Sequence, residues 1–155
     1  MRLLSLFLLA CTTLASAGEP ATVPDKPGFD AALAQRTGAD DYGMRRYVLV
    51  ILRTGPTPVM DPEIRKAMFA GHMANIQRLS KSGQLALAGP FDDVGGDWRG
   101  LFLFAVDDID QVRALVATDP VIASGEMVAE YHRWYGSAAT LLVAGLHETL
   151  ARKAF

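Results

Sequence analysis

An α+β domain of βαββαβ order is what this 155-residue sequence predicts, and three observations carry the prediction. Arg46–Thr54 and Leu101–Val106 are short runs, apolar on both faces, as expected of strands in the middle of a sheet. Between them, Asp61–Ser82 repeats its apolar residues at helical spacing. It meets a Gly stop at Gly83 and a second short apolar run, Leu85–Ala88. A second helical segment, Ile109–Thr118, and a last strand-like run, Met127–Tyr135, complete the order. That order is the ferredoxin-like pattern.

The first seventeen residues read as a leader. Arg2 is the sole charged side chain before Glu19, Leu3–Ala10 is largely apolar, and Ala15-Ser16-Ala17 is a small-x-small cleavage site. The apolar run is too short to span a bilayer. A second reading takes Leu8-Leu9-Ala10-Cys11 as a lipobox whose cysteine is lipidated, so that the protein is a lipoprotein anchored through Cys11. Both readings export the protein, to the periplasm or beyond. Cys11 is the only cysteine, so cleavage after Ala17 leaves no disulfide, thiolate nucleophile or Cys-ligated metal. Cleavage also removes Arg2 and no acid, taking the formal charge from −2 to −3. Mild acidity without a Lys/Arg cluster speaks against nucleic acid as a partner.

Residues 18–45 form a Pro-rich linker and lead-in. Pro20, Pro24 and Pro27 keep Glu19–Gly28 extended, Phe29–Ala34 suits a short helix with Asp30 near its start, and Gly38–Gly43 is turn-rich. The domain proper is expected over 46–136. After the first strand, Asp61-Pro62-Glu63 supplies an N-cap acid, a proline at the first helical position and a further first-turn acid. On a wheel with Ile64 as zero, Ile64, Met68, Phe69, Ile76 and Leu79 fill one half. His72 falls near the middle of that half, where the helix should touch its sheet. Arg65 shares this half but lies in the first turn, within reach of water. Gly89-Pro90 ends the second strand, and Phe91–Gly100 is a Gly- and Asp-rich loop. Asp107 or Asp108 caps the second helix, which must end before Pro120.

Right-handed crossovers put the first and third strands at the centre of a four-stranded antiparallel sheet. Both are apolar on the face away from the helices, so something must cover that face. The expectation is the same face of a second subunit, giving a homodimeric α+β barrel. The rival is the C-terminal segment folding back in the same chain. In that segment, 137–155, Ala139, Leu141, Leu142, Val143, Leu146 and Leu150 fit an amphipathic helix ending in Arg152-Lys153. It is too short and too interrupted to be a transmembrane span.

The stretch HMANIQRLSKSGQLALAGP, beginning at His72, and DPVIASG, Asp119–Gly125, resemble the YCII-related (YciI-like) family of small ferredoxin-like proteins. The resemblance covers about Arg46 to Tyr135. It implies that His72 and Asp119 stand where the family has its proposed catalytic pair. It also implies substrates among small, often aromatic or lactone-type compounds.

The residues support the pairing without the resemblance. Val112, Leu115 and Val116 mark the buried face of the second helix, and Asp119 continues it one turn later. A carboxylate at a helix C-terminus opposes the dipole by up to ~1 kcal/mol, which a nearby imidazolium or donor would offset. In the catalytic reading Asp119 fixes the tautomer and raises the basicity of His72, which moves a proton. In the structural reading His72 is a core residue satisfied by a carboxylate or carbonyl, and Asp119 merely stops the helix before Pro120.

No nucleophile accompanies the pair. Ser80, Ser82 and Ser124 lie in turn-like contexts, and no G-x-S-x-G elbow is present. Proton transfer, elimination or isomerisation, the work of a lyase or isomerase, therefore fits better than hydrolysis. No cofactor is expected, because Gly95-Gly96 lacks the strand–helix context of a nucleotide loop. Glu130 and His132, two apart on the last strand, are a weak metal signal, and no metal site is expected. Gly89, Pro90, Phe91 and Trp98 read equally as the rim of a pocket for a small organic ligand or as a turn closing the end of the barrel. Arg45, Arg46 and Arg99 could receive an anionic substrate, and solvated strand ends explain them as well. The expected function is an exported, cofactor-independent small-molecule enzyme. The alternative is a non-catalytic ligand-binding or envelope interaction domain that keeps the pair as a core hydrogen bond.

Overall fold

A computed structural model describes residues 25–92 and 95–153. The leader and lipobox readings, Cys11 included, lie outside these residues. The elements are α1 (Ala31–Thr37), β1 (Met44–Thr54), α2 (Pro62–Lys81), β2 (Leu85–Pro90), β3 (Trp98–Phe104), α3 (Ile109–Val116), α4 (Pro120–Ala123), β4 (Met127–Ser137), a 3₁₀ turn (Ala138–Leu142) and α5 (Val143–Leu150). The strands form one antiparallel sheet in the order β2-β3-β1-β4. The fold is ferredoxin-like α+β, with β1 and β3 at its centre.

Local chemistry sets the boundaries. Asp61 accepts the Glu63 and Ile64 N–H groups and Pro62 opens α2; Gly83, at φ 72, turns the chain out of it. Asp108, not Asp107, caps α3. Glycine and proline ended the expected second strand at Ala88, but Gly89 and Pro90 continue β2, whose outer edge needs no donor. Met44, Arg45, Gly136 and Ser137 likewise lengthen β1 and β4 beyond the apolar runs, because polar end residues can still pair backbone.

One side of the sheet carries the main core. Val48, Val50 and Leu52 of β1 and Phe102 and Phe104 of β3 pack against Met68 and Leu79 of α2, Val112 and Val116 of α3 and Val121 of α4. Ile64, expected on the buried face of α2, is exposed, because the first turn of the helix projects past the core.

The far face has two halves. Tyr47, Ala86 and Leu103 are buried there with Leu49, Ala105 and Leu141 of the 3₁₀ turn packed against them. The C-terminal segment thus covers this half within the chain, and Tyr47 donates its hydroxyl to the Ser137 carbonyl at 2.8 Å. The expected single amphipathic helix is instead a 3₁₀ turn followed by α5, in which no residue is buried. At the other end of that face, Val128, paired with Arg53, is exposed.

Candidate active site at the α2–α4 junction

His72 sits in the third turn of α2 with its ring 5.9 Å from Phe102 and 6.1 Å from Phe69, stacked on the first and edge-on to the second. Asp119 comes from the turn between α3 and α4. It is fully buried, and its two carboxylate oxygens lie 2.9 Å from His72 Nδ1. The Val121 N–H donates to Oδ1 at 3.1 Å and Asn75 Nδ2 to Oδ2 at 3.1 Å. These donors compensate the burial of the carboxylate.

Its position corrects the sequence reading. Asp119 does not simply oppose the end of a helix dipole; with Pro120 at the first helical position it is the N-cap of α4. The partly positive N-terminus of α4 therefore replaces the unfavourable end that the sequence suggested.

A carboxylate only accepts hydrogen bonds, so His72 Nδ1 must carry a proton. In the neutral ring the lone pair is then on Nε2. Among the described residues no side-chain N or O atom is both buried and unpaired. Asp119 engages the ring through Nδ1, and the side chain is 12 % exposed, so Nε2 is the end that opens outward. One nitrogen is fixed from inside and the other lies at the exposed end of the ring. This arrangement can exchange a proton with a bound molecule.

The remaining expected residues fall elsewhere. Gly89 and Pro90 are exposed at the end of β2, and the Phe91 ring lies 5.2 Å from that of Trp98. The ring contacts of His72 are with Phe69 and Phe102 and not with Phe91 or Trp98. Glu130 is held by Arg53, which also binds Asp97. A cavity of about 760 Å³ opens at the start of β1, beside Tyr47, Arg133, Trp134 and two of the arginines considered for an anionic substrate, Arg45 and Arg46; it includes neither the His72–Asp119 pair nor the expected rim residues.

Sequence reasoning overlooked Asn75. It lies three residues after His72, hence on the same helix face, and that spacing was the available signal; the structure buries it there. In the sequence Phe102 reads only as part of the apolar third strand. Arg65 reaches water as expected, and also binds the buried Glu126 at 2.7 Å and lies over the Phe69 ring.

The model of the YCII-related domain matches residues 46–134, more than half of the chain. The chain belongs to the YCII-related family. This YCII-related chain is 25 % identical to the uncharacterized protein YjpA of Bacillus subtilis (strain 168) over 91 residues, 59 % of the chain and 95 % of YjpA. Two solved structures are similar to it. One is the 5-chloro-2-hydroxyhydroquinone dehydrochlorinase TftG of Burkholderia phenoliruptrix AC1100 in complex with 2,5-dihydroxybenzoquinone. The likeness is 19 % identical, with a TM-score of 0.43, over 57 % of this chain and 92 % of TftG. The other is a dimeric ferredoxin-like protein of unknown function from Bacteroides fragilis NCTC 9343. Here the identity is 15 % and the TM-score 0.41, over 59 % of this chain and 95 % of that one.

Proposed function

We propose that this YCII-related protein is a cofactor-independent enzyme that moves a proton on a small organic substrate, with His72 as acid–base and Asp119 as its partner. The observation that carries the reading is the division of labour in the ring: Nδ1 lies 2.9 Å from both oxygens of the buried Asp119, while Nε2 lies at the other end of a side chain that is 12 % exposed. In the reaction class this favours, the Nε2 lone pair takes a proton from carbon beside a carbonyl or enol, and the electron pair moves into the conjugated system. Asp119 stabilises the imidazolium that forms. Returning the proton to another atom completes an isomerisation; returning it to a departing group completes an elimination. A planar, conjugated substrate is in line with the aromatic and lactone-type compounds that the family resemblance implies.

The test works with an unidentified substrate. Incubating the protein in D₂O with a panel of small carbonyl, hydroxyaromatic and lactone compounds reveals proton abstraction as deuterium incorporation. Enzyme-dependent incorporation that vanishes in His72→Gln, with the circular-dichroism spectrum and melting temperature kept, supports the reading. Equal incorporation by the variant refutes the role of His72.

One observation favours the second reading, a non-catalytic binding domain. Asp119 caps α4, so it has a structural task whatever the chemistry. That reading predicts that His72→Gln costs stability and nothing else. We propose further that the protein is exported, by way of its leader, and acts as a homodimer through the open half of the far sheet face. Exposed Val128 on that half supports the dimer.

A further inference from the structure

We infer that Asn75 is a positioning residue of the His72–Asp119 pair, and that Arg78 at the protein surface sets its orientation; the inference rests on the acid–base reading of His72. A primary amide can present either end to a carboxylate, and its neighbours decide which. Arg78 Nη2 lies 2.7 Å from Asn75 Oδ1. A guanidinium only donates and a carboxylate only accepts, so the two ends of the amide are forced. Oδ1 faces Arg78, and Nδ2 donates to Asp119 Oδ2 at 3.1 Å.

Thr118 anchors the other side of Arg78. Its hydroxyl accepts from Arg78 Nη2 at 3.1 Å. Its single proton has the Leu115 carbonyl at 2.7 Å, nearer than Asn75 Oδ1 at 3.3 Å. Polarity therefore runs one way, from Arg78 through the Asn75 amide to Asp119 and so to His72 Nδ1. Asn75 is buried, whereas Arg78 is exposed, so a surface cation reaches a buried carboxylate through one amide.

This brace does two things to the pair. It fixes the plane of the carboxylate against Nδ1, because Oδ1 is held by the Val121 N–H and Oδ2 by Asn75. It also occupies accepting capacity on Oδ2 that would otherwise go to the imidazole, and so moderates the hydrogen bond to Nδ1–H. Loss of the brace should tighten the imidazole–carboxylate bond and release its orientation.

The experiment is a proton NMR spectrum of the full chain, following the downfield Nδ1–H signal of His72, assigned by its absence in His72→Gln. Asn75→Leu should move the signal further downfield. Arg78→Met should move it the same way by less, and Arg78→Lys should bring it back toward wild type. Because Arg78 is exposed, its variants decide the matter if Asn75→Leu does not fold. A signal unchanged in every folded variant overturns the inference. The acid–base reading fails separately: a signal that moves as described, beside full deuterium incorporation by His72→Gln, would leave the brace intact as a structural network and remove the catalysis.

Discussion

Asp119 shows how much of the site hangs on one side chain. It holds the imidazole, accepts from Asn75 and caps α4. Asp119→Ala leaves buried donors without an acceptor, at about 1–3 kcal/mol for such a group, and should lower the urea midpoint clearly. His72→Gln should cost less, since the ring is partly exposed and glutamine can still donate to the carboxylate. The reverse order in paired urea melts would contradict this ranking. Gly55 is a second residue with no spare room: a Cβ there would lie 2.1 Å from the Gly125 carbonyl oxygen and 2.8 Å from the Glu126 carbonyl carbon. Both neighbours are backbone, tied to this loop by the Gly55 and Thr57 N–H groups. Gly55→Ala should destabilise by about 1–3 kcal/mol or part the loop before α2 from the turn after α4, and amide exchange at Thr57 reports the second outcome.

At the level of elements, the sequence made the strand order and the long helix legible. β1 and β3 are apolar on both faces, and α2 has cap, proline and glycine in their expected places. What it concealed were features decided by pairing and tertiary contact. Gly89-Pro90 reads as an exit, yet an unpartnered edge tolerates it inside β2. The four residues of α4 are too few for a periodic signal, so Asp119 read as the end of one helix and not the beginning of another. Asn75 looked like an ordinary polar residue in a helix until burial set it against Asp119. The C-terminal segment hid its split: Leu141 packs on the sheet while α5, alongside β2, buries no residue. Leu141→Ala should cost about 1–2 kcal/mol, below the 2–5 of a fully buried leucine, as measured by thermal melts. Beneath it, burial pushes the Tyr47 phenol above its ordinary value, opposed more weakly by Thr140 and Arg45. A raised phenol contributes stability that is complete below the unfolded value and is lost as the pH climbs above about 10. Stability should therefore fall in that alkaline range and fall less steeply in Tyr47→Phe; equal slopes would contradict the burial of this hydroxyl. Tyr131 is raised for the same reason, so the variant removes only part of the slope.

Across the whole molecule, the sheet has one face committed to its helices and another shared between the chain and solvent. The sequence showed that the far face needed a cover, but could not apportion it, because apolar residues there look alike whether a C-terminal turn or a second subunit meets them. Half is answered within the chain by Leu141. For the open half, light scattering should give twice the monomer mass, and Val128→Asp, at an exposed position on that face, should return the monomer with its fold unchanged. A wild-type monomer would remove the dimer. The acid–base role of His72 has a more direct test that requires no substrate: carbethoxylation of the native protein by diethyl pyrocarbonate, mapped by mass spectrometry. Exposed His132 serves as the internal standard. An acid–base His72 should be modified at Nε2 in the folded state, and Asp119→Asn should slow its reaction relative to His132. A His72 that stays unmodified while His132 is fully labelled would mean that Nε2 meets no reagent, and the pair would be a core hydrogen bond.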